Sequence, residues 1–441
     1  MDAMRRQLLR VTRLILWLTT IVLTFLITVL LVRAFDARRG PALKLWHTEK
    51  LAAEFQARDR HTVKTLADYL ARENALFAEL NRKITAVLPP QDQTAINRYA
   101  PGYLLYPAGA TNWNRTVVLA PKYLHGGMLL LHGLTDAPYS LKHVAEHYRD
   151  QGYYVLVLRV PGHGTIPSAL VRTRWRDWLA AVELGARHVR TQIGLDRPLY
   201  FVGYSNGGAL ALKYALDAAE RADLPQVDGL VLISPMIGIS RSAVLARWIA
   251  LMGEIPCFEK SRWLDFMPEY LPYKYNSFPA NAAYQSHLIS RDLRKEVLRQ
   301  AKSTAITNLP PVLTFQSIVD ATVSTPAVVD ALYNHLCHPR DEMVLFNVNT
   351  RALEGSFIRP TDLEFGRTLL GDRTRHFRLC VITNRDTNSA EVVELSVSPG
   401  ATQPRSRALG LQWPEEVYSL AHIALPINGH CSRGLCRAAR S

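Results

Sequence analysis

The sequence predicts an α/β protein: a mostly parallel central sheet flanked by helices. Short apolar runs recur from Arg115 onward, each bounded by glycine- or proline-marked loops. Helix-forming stretches alternate with them, and continuous apolar strands alternating with helices imply a parallel sheet covered on both faces. A tight glycine-flanked turn between one such strand and the next helix, at Gly203 to Gly207, marks the sheet edge where chemistry is expected.

The runs at 117–120, 127–131, 153–160, 199–203, 230–234, 312–318 and 343–348 read as strands. Residues 175–192, 207–219 and 326–336 carry helical patterns. Two regions interrupt the alternation. Residues 236–307 are far longer than a simple crossover and rich in aromatics (Trp248, Phe258, Trp263, Phe266, Tyr270, Tyr273, Tyr275, Phe278), which predicts a helical cap over the site. Residues 349–412 contain a hairpin pattern, with strands at 377–383 and 391–397 and a turn at 384–389.

The N-terminal part is organised differently. Residues 1–13 are basic, with Arg5, Arg6, Arg10 and Arg13. Residues 14–32 hold no charge, glycine or proline and reach the ~18–20 residues a bilayer core requires of a helix. The run exceeds the roughly 7–15 residues of a removable signal, and no small-residue cleavage site follows it. The expectation is a single-pass signal anchor, with a cleaved signal as the competing reading. Arginine placement tips the orientation weakly toward an inside N-terminus and a periplasmic or otherwise extracytoplasmic catalytic domain. Residues 33–100 form a charged, membrane-proximal region; its stretch 43–87 has helical spacing, ends at Pro89-Pro90 and is expected to be structural.

Among 441 residues, 52 are Lys or Arg and 38 Asp or Glu, a net charge of +14 that favours anionic surfaces. No helix-turn-helix, zinc-finger or aromatic RNA-binding signature is present, so a membrane is expected as partner and nucleic acid is not. Five cysteines make no disulfide framework. Cys257, Cys337 and Cys380 stand singly, and Cys431 and Cys436 read either as a disulfide of an oxidising compartment or as two tail thiols.

The chemistry is carried by Gly203-Tyr204-Ser205-Asn206-Gly207, a G-x-S-x-G pattern. Alone it is a weak signal. Here it follows the apolar run Leu199-Tyr200-Phe201-Val202 and opens a helix, the context in which the serine hydroxyl projects above a sheet. Attack by Ser205 on an acyl carbonyl requires N–H donors for the oxyanion. The backbone amide of Asn206 is one candidate. The other is the amide of Leu134, in the loop His132-Gly133-Leu134 that follows an apolar strand, with His132 and Gly133 as loop support. Arg159 to Gly164 likewise ends a strand, and His163 reads as loop architecture. Asp320 follows the 312–318 strand on the same edge, the place for a triad acid, although an N-cap would also use an aspartate there. Of the five later histidines, His422 follows the last core strand on a short segment and is the expected base, with His430 next in line. There is no H-E-x-x-H, paired C-x-x-C or phosphate-binding glycine loop, so neither a metal nor a cofactor is expected.

Taken together, His132-Gly133, Arg159 to Gly164, the Gly203 to Gly207 turn, Asp320 and His422 resemble the monoacylglycerol lipase and lysophospholipase branch of the α/β-hydrolases. The resemblance spans about 115–426. The N-terminal anchor and Trp46-His47-Thr48 are similar to a membrane-anchored bacterial subgroup. What the resemblance implies is an α/β-hydrolase domain over 101–426 that cleaves carboxylic esters through an acyl-enzyme, on an amphipathic acyl ester such as a monoacylglycerol or lysophospholipid. A serine peptidase is the alternative within enzymes, with Glu254, Glu259 or Glu269 as groups for a substrate amine. A catalytically dead, membrane-tethered scaffold is the alternative outside them. Residues 427–441 depart from the fold's usual closing helix.

Overall fold

The computed structural model describes residues 2–39, 41–104, 111–238, 253, 258–301, 305–320, 322–349 and 375–414. Among them, ten strands form one sheet in the order β1-β3-β2-β4-β5-β8-β9-β10-β11-β12. β1 (Val117–Leu119) pairs antiparallel with β3 (Tyr153–Leu158). From β3 the sheet runs parallel through β2 (Gly126–Leu131), β4 (Leu199–Tyr204), β5 (Gly229–Ile233), β8 (Val312–Ser317) and β9 (Glu342–Phe346) to β10 (Arg378–Asn384). β11 (Glu391–Val397) and β12 (Arg405–Gln412) then add antiparallel. The chain has the α/β-hydrolase fold.

Period-two alternation within apolar strands sends neighbouring residues to opposite faces. Leu129, Leu131, Leu156, Leu158 and Phe201 join the larger core. Helices α5 (Trp175–Ile193) and α6 (Asn206–Glu220) cover that core with Trp178, Val182 and Leu210. Met128, Leu130, Val155, Val157 and Val202 face the other way, toward Trp113 and the short helix α4 (Lys142–Asp150). Both faces are dry, which is why these strands read as unbroken apolar runs.

In the sheet and the helices that cover it, three features differ from the sequence reading. The hairpin at 378–397 is not a separate excursion: β10 pairs in parallel with β9, so the hairpin extends the main sheet. A further strand, β12, follows it. The 326–336 helix is shorter, because α8 (Thr325–Ala331) gives way to a tight turn at Tyr333–His335 whose Tyr333 hydroxyl donates to the Glu342 carbonyl.

The N-terminal helix α1 runs over Asp2–Arg39 and includes the apolar stretch. Its window Leu9–Val29 is long and apolar enough to cross a membrane and lies outside the buried core. The region beyond it is not one long helix. It comprises α2 (Leu45–Thr48), a turn at Ala57–His61 and α3 (Leu66–Lys83), joined by extended segments. Those segments exist because the region lies on the hydrolase core, with Phe55 and Tyr69 in the main apolar cluster. α2 docks on the cap: His47 accepts from the Lys44 amide through Nδ1 and donates from Nε2 to Ser277 Oγ at 2.9 Å, against Trp263 and Phe266. The described part of the cap comprises the small ribbon β6 (Trp263–Asp265) and β7 (Phe278–Pro279), followed by α7 (Ala280–Ala301).

Candidate active site

Because the central strands are parallel, their carboxyl ends share one edge, and His132, Arg159, Ser205, Ser234 and Asp320 all follow strands there. Ser205 occupies the turn between β4 and α6 with φ 54° and ψ −114°. A serine with positive φ is strained, and such strain persists only where surroundings over-determine it. They do so here. The Ser205 amide donates to the Ile233 carbonyl at 2.9 Å, and its own carbonyl accepts from Gly208 and Met236. A Cβ on Gly207 would lie 2.0 Å from the Leu131 carbonyl oxygen, so only glycine lets α6 start this close to the end of β2. Thr135 (φ 63°) and Ser234 (φ 43°) are the other non-glycine residues with positive φ among the described residues, and both lie on this edge.

The amide of Asn206 opens α6, where helix N–H groups lack intrahelical acceptors. Opposite it, the loop after β2 is held from several directions. His132 is 1 % exposed; its Nδ1–H donates to the Gly133 carbonyl, and its Nε2 accepts the Val160 amide at 3.0 Å. Burial first, and then neighbouring His163, hold its pKa well below the imidazole norm. A neutral ring with both nitrogens committed to backbone fits loop support and not proton transfer. A Cβ on Gly133 would meet the Tyr204 ring at 3.1 Å, so glycine brings this loop against the residue before the serine. His163 lies edge-on to His132 at 4.9 Å, fully buried, with its pKa lowered to about 4 mainly by burial.

Asp320 follows β8, separated from the serine turn by β5 in the sheet. It is buried, and its Oδ1 accepts the amides of Thr322 and Val323 at 2.9 Å each. Gln316 Nε2, donating to the Val323 carbonyl at 3.0 Å, also lies 3.3 Å from Asp320 Oδ2. The geometry thus brings Ser205, Asn206, the His132–Leu134 loop and Asp320 to one edge. His422 and His430 lie outside the described residues, as do Cys431 and Cys436 of the tail, Cys257, Glu254 and Trp248.

Glu269 is buried, and its carboxylate accepts the Asn276 and Ser277 amides at 3.0 and 2.8 Å. It braces a cap turn, which leaves it badly placed to receive a substrate amine. Glu259 sits in the turn Glu259–Arg262 of the cap. No cluster of three or more potential metal ligands occurs among the described residues.

Sequence reasoning did not single out Gln316, nor the tie made by Tyr275. The Tyr275 hydroxyl donates to Gly162 and accepts the Thr165 amide at 2.7 Å, and its amide donates to the Thr135 carbonyl. One cap residue thereby joins the loops after β2 and β3. Its position in an aromatic-rich insertion was the only signal available.

The fold and the arrangement of this edge have the form of an α/β-hydrolase, and comparison with known proteins finds similar sequences. A family model described as serine aminopeptidase, S33, matches residues 124–332. The chain is 28% identical over 244 residues to a thermostable monoacylglycerol lipase of Bacillus sp. (strain H-257), covering 54% of this chain and 89% of that protein. It is 26% identical over 113 residues to phospholipase YtpA of Bacillus subtilis (strain 168), covering 25% and 41%. Among solved structures, one of the metagenome-derived lipolytic enzymes LipS and LipT aligns at 22% identity and TM-score 0.42, over 58% of this chain and 96% of the other. The chain has the α/β-hydrolase fold, and its core is similar in sequence to that of a monoacylglycerol lipase.

Proposed function

We propose that this chain hydrolyses carboxylic esters of amphipathic acyl substrates, of the monoacylglycerol or lysophospholipid kind, through an acyl-enzyme on Ser205. The strained backbone of Ser205 carries the reading, set as it is in a glycine-flanked turn between the parallel strand β4 and helix α6, where its hydroxyl projects from the sheet edge. Ser205 Oγ attacks the ester carbonyl while His422 takes its proton. The amides of Asn206 and Leu134 receive the oxyanion, and His422 returns the proton to the departing alcohol. Water, activated by the same histidine, then releases the acid. Asp320 orients the imidazole. No cofactor enters this scheme.

The substrate class is supported by the names of the two curated relatives, a monoacylglycerol lipase and a phospholipase. The exposed apolar window Leu9–Val29 supports a single-pass tether to the membrane, with the hydrolase on the extracytoplasmic side by the arginine distribution. A tethered enzyme meets such substrates in the plane from which they come.

The test is labelling of purified protein with a fluorophosphonate, beside Ser205→Ala and His422→Ala. Labelling that persists in Ser205→Ala rejects the nucleophile, and unlabelled but folded wild type points to a dead scaffold. A series of p-nitrophenyl esters of increasing chain length, run against aminoacyl anilides, separates esterase from peptidase.

A further inference from the structure

Beneath the loop after β3 lies an ion cluster that the mechanism above does not use. Arg159 is 1 % exposed and meets two carboxylates from the N-terminal region. Its Nη1 and Nη2 donate in fork fashion to Glu54 at 3.2 and 3.0 Å, and its Nε donates to Glu73 at 2.9 Å. Glu73 and Glu54 are themselves buried. Nη1 also donates to the His163 carbonyl at 3.0 Å. The Arg159 backbone is gripped as well: its carbonyl accepts the Tyr69 hydroxyl at 2.7 Å, and its amide donates to Thr116 Oγ1 at 3.1 Å. Thr116 Oγ1 in turn donates to Glu73 Oε2 at 2.9 Å.

Burying three charges is costly against an apolar filling of similar volume, so such a cluster is weak evidence of stabilisation and better evidence of fixed geometry. The geometry it fixes is specific. Residue 159 is followed by Val160, whose amide holds His132 Nε2, and His132 Nδ1 holds the Gly133 carbonyl, one residue before the Leu134 amide. Hydrogen bonds joined through the Arg159–Val160 peptide thus lead from Glu54 and Glu73 to the loop that receives the oxyanion.

We propose that Glu54 and Glu73, acting through Arg159, are positioning residues for the oxyanion loop, so that the segment between α1 and β1 is part of the active-site scaffold and not a spacer. The inference rests on the serine-hydrolase reading. Oxyanion donors act through fixed placement, and small displacements of them lower turnover far more than substrate affinity.

The experiment uses the full-length chain with Glu73→Gln, Glu54→Gln and Arg159→Lys. Active sites are counted by fluorophosphonate titration, kcat and KM are measured on a p-nitrophenyl ester, and backbone hydrogen exchange is followed by segment. The expected result for Glu73→Gln is kcat per titrated site about 10- to 100-fold lower, with KM within about twofold. Exchange should quicken at 132–135 and 159–165 and stay unchanged in β10 and β11. Arg159→Lys, which keeps the charge and loses the fork, should fall between wild type and Glu73→Gln. Should Glu73→Gln not fold, Thr116→Val loosens the same cluster more gently. Unchanged kcat per titrated site, or exchange quickened evenly throughout, overturns the proposal. A folded wild type without labelling overturns the hydrolase reading instead, and the exchange pattern then decides the positioning claim alone.

Discussion

Gln316 Nε2 lies 3.3 Å from Oδ2 of Asp320 and donates to the Val323 carbonyl at 3.0 Å, so one buried amide spans the turn that presents the proposed acid. Gln316→Leu removes both contacts and leaves the Val323 carbonyl without that donor. The expected outcome is a fall in kcat of about tenfold with KM little changed, since the acid acts through the histidine and not on the substrate. Gln316→Glu should be worse, because it sets a second carboxylate against the first. Steady-state kinetics on a soluble ester checks both.

Gly207→Ala tests the serine turn by crowding alone. The added methyl would lie 2.0 Å from a backbone oxygen of β2, which cannot move aside as a flexible side chain can. Destabilisation of about 3 kcal/mol is expected, together with loss of fluorophosphonate labelling, measurable by urea unfolding and in-gel fluorescence.

Buried imidazoles, those of His132, His47 and His163, make stability depend on pH. The pKa of His47 is lowered to about 4 by burial and then by the Lys44 charge, and that of His163 to about 4 by burial, with the Arg159 charge acting in the same direction. Between pH 6.5 and 4 the unfolded rings bind protons that the folded rings do not. Stability is therefore whole above about pH 6.5 and declines as pH falls toward 4, with a slope of up to about 1.4 kcal/mol per unit for each ring. Urea midpoints from pH 7.5 to 5 should fall, and His47→Gln should flatten the curve. A midpoint that rises on acidification contradicts the assignment of neutral rings.

Removal of residues 1–39 deletes a helix whose apolar window the hydrolase body does not bury. The shortened protein should leave the membrane fraction, purify without detergent and keep ester hydrolysis within about twofold of the parent. Deletion through residue 60 takes Glu54 and Phe55 as well, and soluble, active protein should then be lost. Fractionation followed by assay of both truncations distinguishes these outcomes.

Much of this was legible in the chain because local physics wrote it there. Strands buried on both faces must be apolar throughout, and a tight turn under a helix must spare Gly207 a side chain. The order of Ser205, Asp320 and His422 suits the fold, and His422 is assigned by that order and by its place on a short segment after the last core strand. β12 was not legible: Arg405-Ser406-Arg407-Ala408 lies exposed on the sheet's last strand, where no buried face imposes alternation. Nor was the Arg159 cluster. Glu54 and Glu73 sit among charges that read as a structural helical region, and their partner is 105 and 86 residues away.

That separation has a bearing on how the protein is made. Glu54 emerges during synthesis 105 residues ahead of Arg159, an interval of about five to twenty seconds at about 5–20 residues per second. Throughout it, Glu54 lacks the Arg159 guanidinium beside which it is buried in the folded protein. The segment that follows α1 is thus delivered early, and this cluster is completed only when the chain after the third strand arrives.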